Sequence, residues 1–269
     1  VSTPTTPPRR IVCLTEEPTE ILWALGEGAR VVGISAWTCR PEGAREAAPI
    51  VSGFVGGNVD KIQALEPELV IGFSDIQAEL ASKLIRAGLP VWITNQRSVA
   101  EILENALLLG RMVGREQEAV SMIAGWQTHL DALAARSASW PRRPRVYFEE
   151  WPDPMISAIR WVSELIHVAG GENVFDACSH GSLAKERFVQ PEDVIAAMPD
   201  VIFASWCGKP VDKDAIRARP GWDAIPAVQT GQIHEIPSAT ILQPGPGAVT
   251  DGVSELARHL EAAATAPTP

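Results

Sequence analysis

Glu149 and Glu150, followed at once by Trp151, are paired acids after a predicted strand. Paired carboxylates can do general acid–base work or hold a hard cation, and an adjoining indole gives them an apolar wall. Adjacent acids are also common on solvated faces, and no catalytic spacing accompanies these two. The sequence holds no GxxxxGK[ST] phosphate loop, no HExxH metal pair and no GxSxG nucleophile turn. Gly53-Phe54-Val55-Gly56-Gly57 is glycine-rich but lacks the G-x-G-x-x-G spacing of a dinucleotide loop. His129, His167, His180, His234 and His259 fall mainly on predicted helices or in a late strand, away from the post-strand loops where open α/β sheets take ligands. Cys13, Cys39, Cys178 and Cys207 form no CxxC pair, so four reduced thiols or two disulfides both fit, and neither a zinc knuckle nor a thioredoxin-type centre does. No catalytic residue, metal site or intrinsic cofactor is expected.

The aromatic residues are more informative. There are nine tryptophans against one tyrosine. Trp37, Trp151 and Trp206 fall where predicted strands end, and Phe54 and Phe73 occupy similar loops. Any one of them alone would be read as core. Several at strand ends supply broad, stiff apolar surfaces that suit a macrocycle better than a sugar or an amino acid. The single tyrosine, Tyr147, lies inside a predicted strand, which disfavours tyrosinate ligation of haem or bare ferric iron. Arg97, Arg160 and Lys209 are cations suited to an anionic iron chelate. Cys39 and Cys207 adjoin the same loops.

These residues must be positioned by α/β units, because short β-branched runs alternate with segments of helical period. Strands are predicted over Arg10–Leu14, Val31–Ser35, Leu69–Phe73, Pro90–Thr94, Arg145–Glu149, Val201–Ser205 and Gln232–Ile236. Between the fourth and fifth, Ser98–Ala138 has apolar residues at helical spacing, and Gly114 divides one helix from a second, long one over Arg115–Ala138. Prolines at 141 and 144 stop it. One α/β lobe precedes this helix and another follows.

An internal repeat supports the division. Ile62–Phe73 reads IQALEPELVIGF and Val194–Ser205 reads VIAAMPDVIFAS, in each case a helix end, a proline, an acid and a buried strand. Seven residues before Pro67 and Pro199 stand Asp60 and Glu192. Taken alone, such acids serve the positive end of their own helix dipole.

Composition narrows the function classes. The chain has 269 residues, 46% of them hydrophobic, and a formal net charge of −10, which disfavours nucleic acid and anionic lipid as partners. No apolar run approaches the roughly eighteen residues of a membrane-spanning helix. Val1–Arg10, VSTPTTPPRR, reads either as the tether left by a removed export signal or as the start of a cytosolic chain.

RIVCLTEEPTEILWALG (Arg10–Gly26), VVGIS (Val31–Ser35), VSGFVGGNVDKIQALEPELVIGF (Val51–Phe73), the long helix and VAGGENVF (Val168–Phe175) together resemble the vitamin B12 and ferric-siderophore binding proteins of ABC importers. These are the class III periplasmic binding proteins, or helical-backbone metal receptors. The resemblance runs from about Arg10 to Leu260. It implies an α/β fold of two lobes with largely parallel central sheets, bridged by one long rigid helix, with ligand in the interlobe cleft. The boundaries expected are a tether at 1–9, an N-terminal lobe at 10–113, the linking helix at 114–140, a C-terminal lobe at 141–262 and a tail at 263–269. It implies further that Asp60 and Glu192 pair with arginines of a membrane permease. By similarity to the cobalamin binders, the pocket falls at Trp37, Phe54, Glu149, Glu150, Trp151 and Trp206. Phe73, Ser74, Arg97 and Gln243 complete the expected contact set. The sequence departs from that pattern at Ser182–Phe188, which has no tryptophan, and at Ser238–Gln243, which has no aromatic.

Three functions are thus set against one another. The first is an extracytoplasmic, monomeric, non-enzymatic receptor for cobalamin or a related corrinoid. The second is a ferric-siderophore receptor, and the third is an intracellular corrinoid-handling protein or enzyme that reuses the fold.

Overall fold

The computed structural model describes residues 6–181 and 183–265. The first five residues of the expected tether, Ser182, and residues 266–269 of the expected tail lie outside the described residues. The chain divides into two compact units, one comprising residues up to Gln96 together with Ala100–Gly125, the other Arg97–Val99 and everything from Trp126 onward.

In the first unit five strands form one wholly parallel sheet. They are β1 (Ile11–Cys13), β2 (Val31–Ser35), β3 (Ile50–Ser52), β4 (Leu69–Phe73) and β5 (Val91–Thr94), in the order β3-β2-β1-β4-β5. LVIGF of β4 is apolar at every position because all five residues are buried, as a parallel strand covered on both faces requires. The order reverses at β1, which β2 and β4 flank, so the carboxyl ends of these three strands open the crevice where such sheets take ligands.

The second unit has β6 (Arg145–Pro152), β7 (Met155–Ser157), β8 (Glu172–Asn173), β9 (Val201–Ala204) and β10 (Ile233–Glu235). The path is β10-β9-β6-β7, with β8 also on β6; β7 is antiparallel to β6 and the other pairings are parallel. Its core packs Tyr147, Ile202, Trp222 and Ile225, with the Tyr147 and Trp222 rings edge-on at 6.1 Å.

All seven expected strands are present. The three not foreseen, β3, β7 and β8, have only three, three and two residues, too few to show a period. A helix over Val99–Val113 ends at Gly114, whose φ of 76° a side chain would strain. The next helix, Glu116–Ser137, contains the boundary between the units, at Gly125 and Trp126. The C-terminal helix runs over Val253–Thr265. Among the described residues no helix is long and apolar enough to cross a membrane.

The repeat extends below the sequence pattern into the backbone. Glu66 and Met198, each just before the repeat's proline, both take a left-handed φ of 47° where helix turns back toward strand. The Arg10 side chain donates from Nε to Leu65 O at 2.9 Å, and Arg145 donates from Nε to Ala197 O at 3.1 Å. The backbone N–H of Glu68 bonds Arg10 O, and that of Asp200 bonds Arg145 O, both at 2.8 Å. Each unit thus ties the arginine that leads its central strand to the carbonyls at the end of the repeated helix.

Candidate ligand-binding site

At the strand ends of the first unit, Trp37 after β2 and Phe54 after β3 are 43% and 36% exposed, large values for residues of this size. Phe73, at the end of β4, is mostly buried. Phe54 and Phe73 are joined by Gln77, a residue the sequence reading passed over because a glutamine in a first helical turn looks like surface. Gln77 is fully buried; its amide donates to Leu14 O at 3.2 Å and to Phe54 O at 3.1 Å, and its Oε1 accepts the Phe73 N–H at 3.0 Å. One side chain therefore fixes the ends of β1 and β4 and the Phe54 loop. Gly72 makes room for it, since a Cβ there would lie 2.7 Å from Gln77 Oε1. Ser74, at φ 57°, accepts the Ile76 N–H at 3.3 Å and borders a cavity of about 520 Å³ that reaches Arg86 and Asn95.

The first turn after β1 carries a cluster that sequence reasoning also missed. Glu16, Glu17 and Glu20 are all buried. The Thr15 hydroxyl donates to Glu17 Oε1 at 2.9 Å, and Arg40 Nε donates to Glu20 at 2.5 Å. Glu16 Oε2 and Glu17 Oε2 have no hydrogen-bond partner among the described residues. Burial pushes the Glu17 carboxyl up to about 8, with the neighbouring Glu16 adding to the effect. Burial likewise lifts Glu16 to about 7. The adjacency that drew attention to Glu149 and Glu150 was present here too, in Thr-Glu-Glu directly after a strand.

The second unit treats its acids differently. Glu149 has no exposed surface, and its carboxylate accepts from Arg219 Nη1 at 2.5 Å and Nη2 at 2.9 Å, from Trp206 Nε1 at 3.1 Å and from the Tyr147 hydroxyl at 3.1 Å. Glu150 accepts from Arg187 Nη1 at 2.5 Å and Nη2 at 3.2 Å, and Arg187 Nη1 also holds Ser157 O at 2.7 Å. Both acids were expected to touch ligand. The oxygens of Glu149 are occupied within the protein, and one of them holds the Trp206 indole. Tyr147 is fully buried, and burial followed by the nearby Glu149 charge holds its hydroxyl well above the usual range.

Trp206 is mostly buried, and Trp151 is half-buried with its indole N–H donating to Asp153 O at 3.0 Å. The structure brings these two together through Lys209, whose Nζ lies 4.3 Å from the Trp151 ring centre and 4.9 Å from that of Trp206. Arg97 is half-buried near the start of the Val99–Val113 helix, Arg160 pairs with Glu164 at 2.9 Å, and Gln243 is buried in the turn after Ser238–Ile241.

Asp60 and Glu192 are both exposed and both occupy the second residue of their helices, Val59–Ala64 and Pro191–Ala197. Capping is done by others. Asn58 Oδ1 accepts the Lys61 N–H at 2.9 Å, and Asp193 Oδ2 accepts the Gln190 N–H at 3.1 Å. Neither Asp60 nor Glu192 enters a hydrogen bond or ion pair with a described residue. His167 bonds Asp176 at 3.0 Å, and His234 stacks on His259 at 3.7 Å between ring centres. None of the four cysteines is in a disulfide, and among the described residues no three His, Cys, Asp or Glu side chains converge as metal ligands.

With this geometry in hand, comparison with known proteins gives a consistent picture. The family model of the periplasmic binding proteins matches residues 11–240. A vitamin B12-binding protein of Vibrio vulnificus is 28% identical over 253 residues, covering 91% of this chain and 88% of its own. The structure of the periplasmic vitamin B12 binding protein BtuF of Vibrio cholerae superimposes with a TM-score of 0.75 at 25% identity, covering 97% of this chain and all of that one. The periplasmic heme-binding protein RhuT of Roseiflexus sp. RS-1 gives 0.78 at 26% identity, covering 94% and 99%.

Proposed function

The chain belongs to the periplasmic binding protein family, and from that premise we propose that it captures cobalamin or a related corrinoid outside the cytoplasm and hands it to an ABC permease. The observation that carries the choice of ligand is the makeup of the strand ends. The first unit exposes Trp37 and Phe54 at its strand ends, and the second, taken by itself, anchors Trp151 and Trp206 by their indole N–H groups; flat, stiff surfaces of this kind suit a macrocycle. The one tyrosine, Tyr147, is fully buried and committed to Glu149, so it supplies no phenolate to a haem or ferric iron. The relatives named for vitamin B12 support the same choice.

Within this reading Trp37, Phe54, Phe73, Ser74, Arg97, Glu150, Trp151, Trp206 and Gln243 remain the proposed ligand surroundings, and Glu149 supports them from behind. Asp60 and Glu192, exposed and free of capping duty, are the proposed permease contacts. The test is the absorbance spectrum of cyanocobalamin titrated with the protein, read beside calorimetry. Micromolar or tighter binding is expected. Binding of a ferric siderophore or of haem, with no response to any corrinoid, overturns the ligand assignment and leaves the family membership standing.

A further inference from the structure

We propose that Lys209 determines specificity in this site: seated on two anchored indoles, it receives an anionic arm of the ligand, which in the corrinoid reading on which this rests is the nucleotide-loop phosphodiester. The first support is geometric. Lys209 Nζ stands over both the Trp151 and the Trp206 rings, at 4.3 and 4.9 Å. Each indole is fixed by its own N–H, to Asp153 O and to Glu149 Oε1. The seat is therefore rigid on both sides. A lysine that only fills space has no need of two rings held by separate hydrogen bonds.

The second support is charge. The acids that begin this wall are already matched, Glu149 by Arg219 and Glu150 by Arg187. Lys209 makes no ion pair with a described residue, so its positive charge is the one left over beside the two rings. Ring faces attract an ammonium but accept none of its N–H bonds in the way an oxygen does, so its three donors stay open to an anion. What meets Lys209 is thus the charged arm of the ligand, and the macrocycle meets the indole surface that the ammonium leaves uncovered.

The experiment compares cyanocobalamin with dicyanocobinamide, which has the same macrocycle without the phosphodiester-linked nucleotide, on the wild type, Lys209→Met and Lys209→Arg. The expected result is that Lys209→Met weakens cobalamin binding about tenfold, as loss of a charge-assisted hydrogen bond would, while cobinamide binding is unchanged and Lys209→Arg keeps the preference. Equal weakening of both ligands by Lys209→Met shows that the lysine only props the indoles and overturns the proposal, as does no change in either. A wild type that binds neither corrinoid fails the parent reading instead, a result told apart because it appears before any substitution is made.

Discussion

Each unit places two adjacent glutamates on or just beyond an arginine-led central strand, and the two units solve the burial of those acids in opposite ways. In the second, Glu149 and Glu150 are each met by a guanidinium, Arg219 and Arg187, in paired hydrogen bonds. In the first, Glu16 and Glu17 face burial with one oxygen apiece unpartnered, and their carboxyls rise toward neutrality instead. Burial of an acid thus demands either a matched cation or a proton. The first solution makes a stiff wall whose charge is settled. The second leaves a group that titrates near physiological pH.

The comparison breaks most visibly if Arg219 is removed. Arg219→Ala leaves Glu149 buried without its counter-ion, and breaking a buried pair from one side costs about 3–5 kcal/mol. Chemical denaturation should show that loss, and near-UV circular dichroism should report Trp206 released from its hydrogen bond. The double variant Arg219→Met with Glu149→Gln removes both charges and should recover much of the stability. A loss below about 1 kcal/mol for Arg219→Ala would mean that water already satisfies Glu149, and the contrast between the units would fall.

Ligand affinity probes the same contrast at the aromatic surfaces. Trp206→Ala and Trp151→Ala should each weaken corrinoid binding by about 1–3 kcal/mol through lost aromatic contact. Trp37→Ala should fall at the lower end of that span, because its indole is 43% exposed and no described hydrogen bond fixes its ring. Isothermal titration of the three variants orders them. Unchanged affinity in all three removes the aromatic surfaces from the site.

The two units should also respond to pH with opposite signs. Glu16 and Glu17 have folded-state values raised above 4.5, to about 7 and about 8, so the folded form holds protons that the unfolded form has released. Their contribution is full at acid pH and fades as pH rises from about 4.5 through 8, with a slope of at most about 1.4 kcal/mol per pH unit for each group. Glu17→Gln should flatten that limb. In the second unit burial, with the stacked His259 adding to it, lowers His234 from 6.5 to about 4, so the unfolded form binds the extra proton and stability falls as pH drops from about 6.5 to 4. His234→Gln should flatten the acid limb only. Thermal melts from pH 4 to 9 decide it, and limbs that move together in either variant contradict the assignment.

How much of this was legible beforehand depended on whether the signal was local. The strands of the repeat could be read because each is a continuous apolar run of four or five residues closed by a turn. Asp60 and Glu192 could be found because their spacing from a proline is a property of the chain itself. Arg187 and Arg219 could not, since each meets its acid 37 or 70 residues away in sequence and no local pattern marks either. Gln77 was hidden for the same reason, its partners Leu14 and Phe54 being 63 and 23 residues away. The burial of Glu149 could not be read either, because adjacency to Trp151 says nothing about which of two neighbouring residues on a strand turns inward.

The smallest expected effect on the molecule itself belongs to Asp60 and Glu192, the feature in which the two units agree. Each is the second residue of a helix whose end is capped by a neighbour, Asn58 in one unit and Asp193 in the other. Asn58→Ala should therefore cost about 1 kcal/mol, while Asp60→Ala and Glu192→Ala should each cost no more than the roughly 0.3–1 kcal/mol of a charge near a helix dipole. Ligand affinity should not change. If the pair serves as permease contacts, the loss appears only when the liganded protein meets its transporter: slower association, a defect that high salt reproduces in the wild type, and a larger deficit for charge reversal than for neutralisation. The double variant Asp60→Ala with Glu192→Ala should lose more than either alone, because one acid in each unit must find its own cation on the permease. Thermal melts, corrinoid titration and vesicle uptake, measured on the same three variants, separate these outcomes. Normal uptake by the double variant returns both carboxylates to the service of their own helices.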